Sequence, residues 1–182
     1  MPSPTIALIG ATQVAEQIVA RALSANLQVI VDDISDSRLQ ALSTHLRDRV
    51  RAQHRCAPGP QDHSASADSG LSSLLLTQSI ESAIRSADFL IDTLPDDLEV
   101  KLELFTLFDK FAKPNAIFIT TGSLPIDDLA AITFCPDHCL AVRLTPTGTD
   151  ATAFQLIPAT QTSSQTLTEV TQLFAALGFR RS

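Results

Sequence analysis

The residues with the clearest chemical use stand near the start of the chain. Gly10, Thr12, Gln13 and Val14 lie within Thr5-Ile-Ala-Leu-Ile-Gly10-Ala-Thr12-Gln-Val-Ala15, and Asp33 closes Leu27-Gln-Val-Ile-Val-Asp-Asp33. An apolar run, a glycine turn, an amphipathic stretch, a second apolar run and an acid is the order in which a βαβ unit holds a dinucleotide. In such a unit the backbone N–H groups of Gln13 and Val14, at the start of the first helix, would meet the pyrophosphate. Asp33 would accept hydrogen bonds from the adenosine ribose, which favours NAD over NADP. The pattern G-x-G-x-x-G/A is incomplete, because Thr12 occupies the middle glycine position and only Gly10 and Ala15 conform. A branched Cβ there would weaken the grip by roughly 1–3 kcal/mol, while the Thr12 hydroxyl offers a compensating hydrogen bond. The bland alternative is a strand-turn-helix that binds nothing.

Other groups have weaker patterns. Arg47, Arg49, Arg51 and Arg55 gather four of the thirteen basic residues, with His45 and His54 beside them. Arginines near a helix C-terminus also suit its negative dipole end, and odd spacing spreads these four over more than one face. Cys135-Pro-Asp-His138-Cys139 sets two thiols and an imidazole within five residues, but three ligands so close, with no second cluster, make a poor tetrahedral metal site. Ser123 has no histidine placed by the pattern to activate it as a nucleophile.

The elements that must position these groups alternate between strand and helix. Val14, Ile18, Val19 and Leu23 form one stripe of a helix over 13–25, and Leu39, Leu42, Leu46 and Val50 do so over 38–55, after capping residues in Ile34-Ser-Asp-Ser37. Cys56-Ala-Pro-Gly-Pro60 ends that helix, and 57–73 reads as a mobile serine-rich loop. Short strands follow over 74–77 and 87–94, with a helix over 79–86 between them. Pro95-Asp-Asp97 opens the next helix, whose buried side carries Leu98, Leu102, Phe105, Phe108 and Phe111. Strands over 115–120, 140–144 and 153–157 and helices over 126–132 and 163–177 complete the pattern. The expectation is one α/β domain over 1–182, with a Rossmann-type open, mostly parallel sheet and helices on both faces.

The 182 residues, 45% hydrophobic and 18% charged, suffice for one well-buried domain. A net charge of −7 opposes nucleic-acid wrapping or adhesion to an anionic membrane. No apolar run approaches a membrane span, and an odd count of three cysteines argues for free thiols, so a cytoplasmic location is expected.

Further along, Ser86-Ala-Asp-Phe-Leu-Ile-Asp-Thr-Leu94-Pro-Asp96-Asp-Leu-Glu-Val-Lys101-Leu-Glu-Leu-Phe105, Leu107-Phe-Asp-Lys-Phe-Ala112 and Ile117-Phe-Ile-Thr-Thr-Gly-Ser123-Leu resemble the NAD-binding domain of the 3-hydroxyacyl-CoA dehydrogenases. The resemblance spans residues 5–179 and is most specific over 87–124. It implies NAD as cofactor, with Asp33 at the adenosine ribose, Asp96 near the nicotinamide side, Leu94 among the cofactor-binding residues, and Lys101 as a cofactor-contacting lysine. Ser123 falls in a family serine segment that is one residue shorter here, with Thr120 or Thr121 where an asparagine would stand. It also implies that Arg47, Arg49, Arg51 and Arg55 could meet the phosphates of CoA by charge-assisted hydrogen bonds.

The family oxidises 3-hydroxyacyl-CoA to 3-ketoacyl-CoA with a histidine as general base and a glutamate that orients it. Here the histidine position holds Arg143, or Val142 if Pro146 anchors the count, and the glutamate position holds Gln155. Arginine cannot take up a proton near neutral pH. His138 lies five residues upstream of Arg143. The family's C-terminal helical domain has no counterpart within the chain, so a partner subunit or a homo-oligomer would have to complete an acyl-CoA site. The alternative is a catalytically inactive relative that binds nucleotide or CoA or serves an assembly.

Overall fold

The computed structural model describes residues 3–55, 71–146 and 152–182. Among them, eight strands form one sheet: β1 (Thr5–Ile9), β2 (Gln28–Asp32), β3 (Leu74–Thr77), β4 (Phe89–Asp92), β5 (Ile117–Thr120), β6 (Cys139–Pro146), β7 (Thr152–Pro158) and β8 (Arg180–Arg181). Six helices accompany them: α1 (Gln13–Ser24), α2 (Asp36–Arg55), α3 (Ile80–Ser86), α4 (Leu98–Phe111), α5 (Ile126–Ala130) and α6 (Ser164–Ala176). The spatial order is β3-β2-β1-β4-β5-β6-β7-β8. From β3 through β6 neighbouring strands are parallel, β7 runs antiparallel to β6, and β8 is parallel to β7. The expected Rossmann-type single α/β domain is therefore present.

Strand periodicity divides the core in two. Ile6 and Leu8 of β1, Val29 and Val31 of β2 and Ile117 and Ile119 of β5 face α1, α2 and α6. Ala7, Ile9, Ile30, Leu90 and Phe118 face α3, α4 and α5. The phenylalanines anchor both layers: Phe105, Phe108 and Phe118 cluster on one, Phe154, Phe174 and Phe179 on the other. A strand buried on both faces must be apolar at nearly every position, as β1 and β5 are.

Several helix bounds differ from the sequence expectation by one to three residues; α2, for example, begins at Asp36 rather than Arg38. α4 begins at Leu98 rather than Pro95, because Asp97 N–H donates to Pro95 O at 2.8 Å in a turn and Asp97 Oδ1 then caps Val100 N. α5 ends at Ala130 rather than 132, where Thr133 N–H closes onto Ala130 O. The loop expected over 57–73 falls largely outside the described residues. Its last part, 71–73, is a turn leading into β3. No helix among the described residues is long and apolar enough to cross a membrane.

The chain winds from β1 through β2 to β3 on one side, then returns to lay β4 against the other side of β1. Between β1 and β4 the winding reverses, and ligands of open α/β sheets settle at the carboxyl ends of the strands beside such a point.

Candidate cofactor-binding site

At the end of β1 the chain turns through Gly10, whose φ of +101° lies in the left-handed region. A Cβ at Gly10 would stand 2.9 Å from Leu94 Cδ2 and 3.1 Å from Thr93 Oγ1, so glycine serves both the turn and the close approach of the β4–α4 segment. Thr93 Oγ1, which lies 3.0 Å from Ile9 O and 2.8 Å from Gly10 O, ties that segment to the turn.

Thr12 is the N-cap of α1: its Oγ1 accepts from Ala15 N at 3.3 Å. The side chain that interrupts the glycine pattern thus starts the helix, and its hydroxyl keeps a proton to donate. Gln13 and Val14 occupy the first turn, where backbone N–H groups have no intrahelical acceptor.

Asp33 is buried and engaged on both oxygens. Its Oδ2 accepts from Ala11 N at 2.8 Å, and its Oδ1 accepts from Ser35 N at 2.8 Å and lies 2.9 Å from Arg38 Nη2. It staples the glycine turn to the β2–α2 loop. Asp32, the last residue of β2, is only 3% exposed, and its Oδ1 has no hydrogen-bond partner. Burial, and then the Asp33 charge, push the Asp32 carboxyl up to about 6. Both acids line a cleft of about 330 Å³ whose walls include Ile9, Gly10, Ile34, Leu94 and Leu107. An apolar cleft with a buried acid in its lining is suited to a flat heteroaromatic ring joined to a diol.

Asp32 is the residue that the sequence reasoning passed over. The period-2 pattern of β2 could have found it, since Asp32 shares a face with Ile30 and so points to the α3–α4 side where the cleft lies.

Lys101 is fully buried. Its Nζ lies 2.5 Å from Asp92 Oδ2, 3.0 Å from Leu94 O and 3.3 Å from Thr120 Oγ1. Asp92 also accepts from Thr120 Oγ1 and Leu94 N, so its carboxylate is well satisfied. These bonds engage the ammonium donors within the protein, and Lys101 joins the ends of β4 and β5 to α4. Asp96 stands 3.9 Å from Lys101 and accepts from Ser123 N at 3.0 Å and from Ser123 Oγ at 2.6 Å. The Ser123 hydroxyl holds the Asp96 carboxyl below its ordinary value, with the Ser123 N–H and the Lys101 charge adding to this. A Cβ at Gly122 would come within 2.0 Å of Asp96 Oδ1, so the shortened segment needs glycine for the acid to reach the backbone.

Arg143 and Gln155, four residues or fewer from the strand ends, are direct cross-strand partners in the β6–β7 hairpin, and both are exposed. Ala141, two residues before Arg143, pairs with Thr120 at the end of β5, so the guanidinium belongs to the same edge of the sheet as the Ser123 segment. Among the described side chains, Arg47, Arg49 and Arg51 of α2 do not converge. Arg47 lines a groove against β3, Arg49 lines another against the ends of α1 and α6, and Arg51 pairs with Asp48. The side chain of Arg55 lies outside the described residues. Cys135 and Cys139 are free, and burial pushes their thiols up to about 11 and about 12, which disfavours the thiolates a metal would need. His138 Nε2 lies 3.7 Å from Asp137.

Comparison with known proteins decides the family. Residues 5–180 match the model described as 3-hydroxyacyl-CoA dehydrogenase, NAD binding domain. The chain belongs to this family. Among curated relatives of this 3-hydroxyacyl-CoA dehydrogenase domain, an L-carnitine dehydrogenase of Pseudomonas putida is 29% identical over 97% of the chain and 53% of the relative. The mitochondrial hydroxyacyl-coenzyme A dehydrogenase of Sus scrofa is 24% identical over 95% of the chain and 56% of its own length. The chain thus spans about half the length of these relatives. A solved (S)-3-hydroxybutyryl-CoA dehydrogenase from Ralstonia eutropha superposes with a TM-score of 0.85 at 22% identity, covering 99% of this chain and 62% of that one, which shows the shared fold. NAD is the cofactor this membership indicates, and the Gly10 turn, the open first turn of α1 and the unsatisfied Asp32 oxygen fit it.

Proposed function

We propose that this chain is the NAD-binding domain of an oxidoreductase that converts a secondary alcohol, such as a 3-hydroxyacyl-CoA, to the ketone. The observation that carries the reading is Asp32, a buried acid with an unpartnered Oδ1, in the lining of an apolar cleft beside the Gly10 turn. Asp32 would accept from the adenosine ribose while Asp33 holds the turn in place through Ala11 N, and Gln13 and Val14 would meet the pyrophosphate with N–H groups, joined by the Thr12 hydroxyl. Leu94 would wall the adenine side. Lys101 would act through Leu94 and Asp96 by holding their segment.

NAD, when bound, supplies a hydride acceptor at its nicotinamide ring. Ser123 Oγ donates its hydrogen bond to Asp96, so toward a substrate it would be left as an acceptor for a hydroxyl. Arg143, if it stands at the position of the family's histidine, would donate to a substrate oxygen and stabilise negative charge on it, but it cannot take the proton, which would pass to water. Gln155, opposite Arg143 in the hairpin, would stand where the resemblance puts the orienting glutamate.

The pairing of Arg143 with Gln155 also favours a second reading, a non-catalytic relative that holds NAD within a larger assembly. Divergence of Arg47, Arg49 and Arg51 counts against a CoA-phosphate cradle on α2. Oxidation of NADH with acetoacetyl-CoA separates the two readings. Turnover by the natural chain that disappears in Arg143→Ala supports the enzyme. Turnover that arises only in Arg143→His/Gln155→Glu supports the non-catalytic relative.

A further inference from the structure

We propose that NAD binding to this chain is coupled to release of a proton from the Asp32–Asp33 carboxylate pair, so that the cleft gives up its cofactor in mildly acidic conditions. The inference rests on the NAD-binding reading above and adds a regulation to the same site.

The geometry assigns unlike roles to two adjacent acids. Asp33 has both oxygens engaged, by Ala11 N, Ser35 N and Arg38. Asp32 is equally buried but keeps Oδ1 without a partner. Two carboxylates side by side resist double ionisation, and the proton settles on the one with less support. The other groups around the cleft do not reverse this. Arg38, from α2, is drawn to Asp33, and Glu103, from α4, adds a further carboxylate to the lining. Gly10 from the β1 turn, Ile80 from α3, Leu94 before α4 and Val100 within α4 bring no charge. Asp92 lies across β1 and is paired with Lys101. Burial and the Asp33 charge accordingly hold Asp32 partly protonated, with a value of about 6.

A ribose diol reverses the balance. Its hydroxyls donate to an ionised carboxylate, bonds that are stronger for carrying charge, and a protonated Asp32 loses them. Ligand and proton therefore compete, and by linkage the bound state releases what the free state held.

Isothermal titration of NAD into the full chain, in two buffers of different ionisation enthalpy, reads the released proton directly. The expected result is about half a proton per NAD near pH 6 and affinity about tenfold weaker near pH 5 than near pH 7.5, from the shifted Asp32 value. Asp32→Asn, with its fold checked by circular dichroism, should bind more weakly near neutral pH, with no proton release and no pH dependence. Asp33→Asn should move the transition to lower pH, because it removes the repelling charge. NAD binding with a flat pH profile and no buffer-dependent heat would overturn the coupling and leave the cofactor reading intact. Absence of NAD binding at every pH would overturn both.

Discussion

Replacing Lys101 by Met isolates the buried ion pair beneath the cleft. Lys101 and Asp92 are each 0% exposed at the side chain, and the substitution keeps most of the aliphatic stem while removing the charge that faces Asp92. Thr120 Oγ1 at 2.7 Å and Leu94 N at 2.8 Å remain on the carboxylate, so it retains two neutral donors. Removing one member of a buried pair costs about 3–5 kcal/mol. That is a large share of the 5–15 kcal/mol that typically holds a domain together. Asp92→Asn/Lys101→Met removes the stranded charge and should recover most of the loss, giving a coupling energy of several kcal/mol in the double-mutant cycle. Urea unfolding of all four proteins is the assay, read as midpoint changes at constant slope. A loss below about 1 kcal/mol in Lys101→Met, or additive single effects, would refute the buried-pair reasoning. Because Lys101 also holds Leu94 O, the single variant should bind NADH more weakly as well.

Asp32→Asn should stabilise the free protein at neutral pH. A carboxyl raised from 3.8 to about 6 penalises the folded state by up to roughly 3 kcal/mol above its folded value, and the penalty vanishes below the unfolded value. The gain, about 1–3 kcal/mol near pH 7.5 and close to none near pH 3.5, is checked by urea midpoints at the two pH values. Gly122→Ala should cost about 1–3 kcal/mol by driving a methyl into Asp96 Oδ1, and Asp96→Ala added to it should restore thermal stability. Thr12→Gly should tighten NAD binding by up to about tenfold, relief of crowding outweighing the lost hydroxyl hydrogen bond, at a cost of only a few tenths of a kcal/mol from the lost cap; calorimetry and melting temperature report the two effects.

The α/β alternation was legible because each buried strand is a dense apolar run and each helix carries a stripe, as in Ile6 to Ile9 and Val14 to Leu23. The position of Asp33 near the turn was legible too, but its partner Ala11 N was not, because that bond spans 22 residues and depends on the depth to which β2 runs. Asp32 escaped notice for a related reason: adjacent acids look alike in sequence, and only the facing of β2 separates the engaged carboxylate from the unsatisfied one. Lys101 reads as a surface cation on an amphipathic helix until β4 and β5 bring Asp92 and Thr120 over it. The opposition of Arg143 and Gln155 depended on hairpin register, which no local pattern specifies across residues 147–151.

Titration of NADH into the purified chain, followed by cofactor fluorescence, most directly tests whether this domain holds its cofactor at Asp32 and the Gly10 turn. The chain contains neither Trp nor Tyr, so the signal carries little protein background. Saturable binding near neutral pH, weakened about tenfold or more by Asp32→Ala through loss of charge-assisted hydrogen bonds, is the expected result. Folded protein that shows no saturation at roughly millimolar NADH, a bound of about −4 kcal/mol, would contradict it.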